Sequence, residues 1–207
     1  MSTCNSARGI KAVLFDFGGV LAELRAEAHL LPLVKEHMTR EQMWTAWSHS
    51  PTVRAHETGR ISAEEFSKLI VVELGIAVSP EDFLTGFHDW IVGPFAETPA
   101  LIRDVALRHT TALLTNTCAL HWPIINSLGI IPHMHHVFAS WQIGYIKPDA
   151  DYFEYVLDQM NIAANEAVFF DDSPLNVAAA RKLGLNGYRV QNAAQIRQQL
   201  ITLGLLP

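Results

Sequence analysis

The stretch Lys11-Ala-Val-Leu-Phe-Asp16-Phe-Gly18-Gly19-Val20 decides the fold. Four uninterrupted apolar residues lead into a carboxylate, and the chain then turns through a glycine pair. An uninterrupted apolar run reads as a strand covered on both faces, as in a parallel sheet. Ending that strand in Asp16 puts a charged group at the sheet's carboxyl edge, where open α/β sheets bind ligands.

Two further runs share this grammar. Ala167-Val-Phe-Phe170 leads into Asp171-Asp172, then Ser173-Pro174 and a helix; Ala112-Leu-Leu114 ends in Thr115-Asn116-Thr117. A single Asp in such a place often only caps the next helix. Three polar strand ends converging at one edge instead mark a site. Adjacent acids repel and titrate upward unless something positive joins them. Hard carboxylate oxygens suit Mg²⁺, which is the expected cofactor.

With 207 residues, the chain has room for one sizeable core plus an insertion. Nearly half its residues are hydrophobic, which excludes a disordered chain. A net charge of −6 without a basic stripe argues against nucleic-acid binding. No apolar run approaches the roughly 18 residues of a membrane span, and the N-terminus lacks a signal core. Two cysteines, Cys4 and Cys118, imply no disulfide framework, so a cytoplasmic location is expected.

Beyond residue 96 the periodicity alternates between helix and strand. Helices are predicted over Pro99–His109, Leu120–Leu128, Ala150–Met160, Pro174–Leu183 and Ala193–Leu203. Strands are predicted over Thr111–Thr115, Val137–Ser140, Ala167–Asp171 and Gly187–Val190. Such alternation implies an α/β fold, a doubly wound parallel sheet with crossover helices. Between Leu21 and Phe95 only helical periodicity is found: Ala28–His37, Arg40–Ser48, Ser62–Leu74 and Pro80–Trp90. Ser62 with Glu65 reads as a capping box, and Pro80 before two acids as a helix start. An all-helical cap over 21–95 is thus expected to interrupt a core made of 1–20 and 96–207. Placed directly behind Asp16, it reads as a lid.

Together these pieces resemble the haloacid dehalogenase-like hydrolase superfamily, in order and over essentially the whole chain. Asp16-Phe-Gly-Gly-Val20, Leu114-Thr115-Asn116, Lys147-Pro148 and Asp171-Asp172 with Asn176 resemble its four motifs. The cap segment Glu57-Thr-Gly-Arg-Ile-Ser62 is similar to that of bacterial sugar-phosphate phosphatases and the phosphatase domain of soluble epoxide hydrolase. The resemblance implies a Rossmann-like core and a phosphatase in which Asp16 attacks phosphorus to form an aspartyl-phosphate. It implies Mg²⁺ held by Asp16, the Gly18 carbonyl and Asp172. Thr115, Asn116 and Lys147 would contact the phosphoryl group, and Asp171 would orient Lys147 or a metal-bound water. The expected partners are a small-molecule phosphate ester and, through the cap's apolar surface, a second copy as a homodimer.

One position departs from the pattern. Many phosphatases of this family carry an Asp two residues after the nucleophile, as the general acid–base group; here that residue is Gly18. A sugar 1-phosphate such as glucose 1-phosphate, whose anomeric oxygen leaves easily, would tolerate the loss. A ligand-binding module without turnover and a 2-haloacid dehalogenase are the alternatives; the adjacent acids argue against the metal-free dehalogenase.

Other residues attract weaker readings. His133, His135 and His136 read as a surface loop, since no Cys or carboxylate completes a ligand set. His56, Glu57, Arg60, Trp44, Trp47 and Trp90 could face a sugar, although aromatics at helical spacing are usually core. His121, with Trp122, follows the second motif closely and is the expected substrate contact beside the phosphate site. Cys118 lies near the same edge, but no triad surrounds it.

Overall fold

The computed structural model describes residues 9–34 and 38–207. The strands are β1 (Ala12–Phe15), β2 (Ala22–Leu24), β3 (Ile91–Pro94), β4 (Thr110–Thr115), β5 (His136–Ala139), β6 (Ala167–Asp171) and β7 (Asn186–Arg189). The first helices are α1 (Ala26–Leu30), α2 (Arg40–His49), α3 (Pro51–Glu57), α4 (Ala63–Glu73) and α5 (Pro80–His88). They are followed by α6 (Thr98–Ala106), α7 (Trp122–Ser127), α8 (Ser140–Ile143), α9 (Ala150–Met160), α10 (Pro174–Lys182) and α11 (Ala193–Thr202).

Strand side chains alternate between faces, and β1 uses both. Val13 and Phe15 join Leu101, Ile102 and Ile196 in one cluster. Ala12 and Leu14 join Phe153, Val156 and Ala180 in another. Helices therefore cover both sides of β1, so its sequence is apolar throughout. The parallel sheet has the order β5-β4-β1-β6-β7. Successive strands are added on one side of β1 and then on the other, which makes the β1–β6 boundary the switch point.

Register then fixes the edge. Phe15 is paired with Leu113 on one side and Phe170 on the other. One step further along each strand, Asp16 stands beside Leu114 and Asp171. The doubly wound sheet predicted from the sequence is the observed fold.

The segment after β1 differs from expectation at its ends. Predicted to be free of strands, it begins and closes with β2 and β3, an antiparallel pair with Ala22 opposite Pro94 and Glu23 opposite Gly93. Three- and four-residue strands carry too short a period to detect, and their partners lie about seventy residues apart in the chain. The helix predicted over Ala28–His37 is α1 followed by a 3-10 turn, Leu31–Leu33, with Pro32 inside the turn; residues 35–37 lie outside the described residues. Helix α3 was not expected. Ser50 caps it by accepting from the Val53 amide at 3.0 Å, and Pro51 opens it.

Trp47, Phe66, Phe83, Phe87 and Trp90 pack together inside the helical segment. Each large side chain buried this way contributes about 1.5–3 kcal/mol, which holds the short helices on one another. Cys118, from the loop after β4, belongs to the same cluster. Among the described residues no helix is long and apolar enough to cross a membrane.

Candidate active site

The edge chemistry begins with a tight loop. After Asp16, the Phe17 carbonyl accepts from the amides of Leu21 (2.9 Å) and Ala22 (3.0 Å), folding the chain back on itself. Gly19 has φ +72°, and a Cβ there would lie 2.8 Å from Asp172 Oδ2. Glycine at this position therefore lets the Asp172 carboxylate approach the loop.

Lys147 is the hub of the site. Its Nζ donates to Asp16 Oδ1 (2.6 Å), Asp171 Oδ2 (2.8 Å) and the Leu114 carbonyl (2.8 Å). An ammonium has three hydrogens, and all three are used. Burying that charge costs several kcal/mol, offset here by two carboxylates and a carbonyl. Burial alone would lower the Lys147 pKa, but Asp16 and Asp171 outweigh it and hold it above the ordinary value.

Asp171 is fully buried and saturated. It also accepts from the Ser173 amide (2.8 Å) and from Asn176 Nδ2, 3.0 Å from each oxygen. Asp171 thus receives Lys147 on one oxygen, and Asn176 in turn holds Asp171.

Asp16, Asp171 and Asp172 form a cluster whose ligand atoms lie within 4.8 Å of one another. Burial pushes Asp16 up to about 8, with Asp171 and Asp172 adding to the shift and Lys147 opposing it. Asp172 belongs to the exposed rim, yet crowding around its carboxyl and the Asp171 charge push it up to about 6. Asp16 and Lys147 pull in opposite senses, since a protonated Asp16 would not support a charged lysine. The 2.6 Å contact favours the ionised pair. Three carboxylates against one ammonium leave excess negative charge, which a divalent cation would relieve. The donor set fits magnesium.

Thr115 is buried at the end of β4. Asn116 stands beside it, but its side chain has a different task from the predicted one. Nδ2 donates to the Lys147 carbonyl (2.9 Å), and Oδ1 accepts from the Lys147 amide (3.0 Å). A side chain fixed this way clamps residue 147, leaving one amide hydrogen for anything else.

His121 is likewise committed elsewhere. Its Nε2–H donates to the Phe87 carbonyl of α5 (2.7 Å), and its ring packs 4.4 Å from the Phe87 ring. The expected phosphate-side contact is instead a link between the β4–α7 loop and the helical segment. His56, Trp47 and Trp90 are buried and cannot line a sugar face. His135 Nδ1 accepts from the Thr111 amide (3.0 Å), a structural bond at the base of β4. Burial pushes the Cys118 thiol up to about 12, which rules out a ready thiolate. Cys4 lies outside the described residues.

The geometry missed from the sequence is the docking of α3. Arg54 pairs with Asp149, Nη1 lying 3.2 Å from Oδ1, two residues beyond Lys147. Gly59 has φ +72°, and a Cβ there would lie 2.6 Å from the Trp141 carbonyl oxygen. The signal for this helix was present in Ser50-Pro51.

A family model described as haloacid dehalogenase-like hydrolase matches residues 10–184. The chain is 25% identical over 206 residues to a D-ribitol-5-phosphate phosphatase of Bacteroides thetaiotaomicron, covering 94% of this chain and 98% of that protein. It is 30% identical over 131 residues to bifunctional epoxide hydrolase 2 of Mus musculus, covering 58% of this chain and 24% of that protein. A crystal structure of a HAD family enzyme from Bacteroides thetaiotaomicron, in complex with magnesium and inorganic phosphate, superposes with a TM-score of 0.68. At 23% identity, over 87% of this chain and 94% of that one, this likeness shows the fold.

Proposed function

Because this chain belongs to the haloacid dehalogenase-like hydrolases, we propose that it is a magnesium-dependent phosphatase of a small sugar or polyol phosphate. The observation that carries this reading is Lys147 Nζ, bound at once to Asp16 and Asp171 beside a third carboxylate, Asp172. A buried nucleophile beside a fixed cation suits attack on a phosphate dianion.

In this reading Asp16 attacks phosphorus through the carboxylate oxygen not bound by Lys147, giving an aspartyl-phosphate that water then hydrolyses. Lys147 aligns Asp16 and reduces repulsion between the two anions. Thr115, at the neighbouring strand end, offers a hydroxyl to the phosphoryl oxygens. Asp16, Asp172 and the Gly18 carbonyl would hold magnesium, which supplies a Lewis acid for the phosphoryl oxygens. The helical segment 21–95 acts as a cap over the core built from 1–20 and 96–207. Its contacts with the loops at Cys118, His121 and Asp149 support that role.

The named relatives support the substrate class. A ribitol 5-phosphate releases an ordinary primary alkoxide, so the leaving group need not be anomeric. A dehalogenase reading is less supported, since a metal-free site gains nothing from the surplus carboxylate.

The test is phosphate release from sugar phosphates, polyol phosphates, nucleotides and phosphoamino acids with Mg²⁺. Turnover is expected on the first two classes, and Asp16→Asn should reduce it on the order of 10³-fold or more. Asp16→Asn turnover equal to wild type would remove the covalent mechanism. Chloride release from a 2-haloacid in chelator would favour the dehalogenase.

A further inference from the structure

Phosphoryl transfer from an alkyl ester leaves one proton unassigned. As the bond from Asp16 to phosphorus forms, the bond from phosphorus to the ester oxygen breaks. Its electron pair goes to that oxygen, which departs as a costly alkoxide unless a proton meets it. Gly18 has no side chain to provide one. The space that a Cβ at residue 18 would enter is filled by Leu24, whose Cδ1 lies 2.5 Å from that position. An apolar group thus covers the loop where the acid is missing.

We propose that Glu57, the last residue of α3, is the proton-transfer group of this phosphatase, carried to the site by the helical segment; the inference rests on the phosphatase reading. Two anchors fix its place. Arg54 holds α3 to Asp149, close to Lys147 in sequence, and Gly59 abuts the Trp141 carbonyl. Glu57 lies between these anchors in the chain. Three residues along α3, Glu57 shares the helix face that Arg54 turns to Asp149; Lys147 opposes its upward shift, and its charge in turn pushes up the thiol of Cys118, in the loop after Thr115 and Asn116. Its side chain is half-buried and makes no hydrogen bond or ion pair among the described residues. Among the described residues, no hydrogen bond or ion pair therefore accounts for a carboxyl held at this point. Burial pushes it up to about 7, opposed by Lys147, so both protonation states are accessible near neutrality.

The step balances. Glu57 gives its proton to the ester oxygen as the phosphorus–oxygen bond breaks, releasing the alcohol. The Glu57 carboxylate then takes a proton from the water that attacks the aspartyl-phosphate. The bond from phosphorus to Asp16 breaks, its electron pair returns to Asp16, and phosphate leaves. One water is consumed and Glu57 ends protonated.

The experiment compares wild type with Glu57→Gln on two esters, an alkyl sugar phosphate and 4-nitrophenyl phosphate. The second releases a phenolate that needs no proton. The quantity compared is kcat/KM, which covers steps up to departure of the leaving group. The alkyl ester should lose about 10²–10⁴-fold and the nitrophenyl ester about threefold or less. An equal loss on both, with the native circular dichroism spectrum retained, would make Glu57 a packing or binding residue and overturn the inference. No loss on either would overturn it as well. If Glu57→Gln loses the native spectrum, Glu57→Ala with added formate takes its place. Formate-dependent recovery of alkyl-ester turnover supports the inference, and turnover indifferent to formate overturns it. A wild-type protein inactive on both esters would defeat the phosphatase reading itself, and this inference with it.

Discussion

The side-chain amide of Asn116 closes two hydrogen bonds on the peptide of Lys147, donating to its carbonyl at 2.9 Å and accepting from its amide at 3.0 Å. The lysine that bridges Asp16 and Asp171 is therefore held at its root by the neighbouring strand end. Asn116→Ala should cost about 1–3 kcal/mol, the penalty of unpaired buried polar groups. It should also lower kcat on the order of 10²-fold, because a displacement of about 1 Å near the chemistry has that effect. Urea unfolding and steady-state kinetics check both; unchanged kcat would mean that Lys147 keeps its place without the clamp.

Lys147→Met should be more damaging to stability than a surface substitution. It leaves Asp16 and Asp171 buried without their counter-charge. Removing one partner of a buried pair costs about 3–5 kcal/mol. Chemical denaturation reads the loss directly. A change below about 0.5 kcal/mol, the scale of an exposed site, would show that the two ion pairs do not stabilise the folded protein.

Chelation should abolish turnover, and added Mg²⁺ should restore it. Asp172→Asn should leave the fold intact while weakening Mg²⁺ binding in isothermal titration by about tenfold or more, as loss of a charged oxygen ligand predicts. Full activity in EDTA would remove the metal from the reaction.

Acid should loosen the helical segment through His56. Its ring stacks 4.2 Å from Phe66, Nδ1–H donates to the Ile61 carbonyl, and Nε2 is buried without a hydrogen-bond partner among the described residues. Burial lowers its pKa from 6.5 to about 4. Between these values the unfolded chain binds a proton that the folded chain excludes. The His56 contribution to stability therefore falls as pH drops through this window, by up to about 1.4 kcal/mol per unit, while Glu57 and Asp172, raised to about 7 and about 6, contribute in the opposite sense. Burial lowers His121 as well, so His56→Phe should remove only the His56 share of the difference between acid and neutral pH. Urea midpoints at pH 7.5 and 5 for both proteins provide the check, and equal slopes would exclude His56.

How far the sequence could be read depended on the range of each interaction. The ends of β1, β4 and β6 were legible because an apolar run followed by a polar residue is a local signal. Helix α9, with Phe153 and Val156 buried on one face, follows its predicted bounds for the same reason. Helix α3 escaped because only Val53 and His56 of its seven residues are buried, too few to set a period. The work of Asn116 and His121 escaped because their partners, Lys147 and Phe87, lie more than thirty residues away.

The order of apolar strands and the acids that close them determined the doubly wound sheet and the edge where Asp16, Thr115 and Asp171 gather. Side-chain alternation and burial on both faces leave a mark on every few residues, so that much is written in the chain. Only the tertiary structure decided which side chain each polar group holds, that Leu24 fills the room beside Gly18, and that α3 docks through Arg54 on Asp149. Those outcomes depend on how segments far apart in the chain pack, and packing distances between remote segments leave no local trace in sequence.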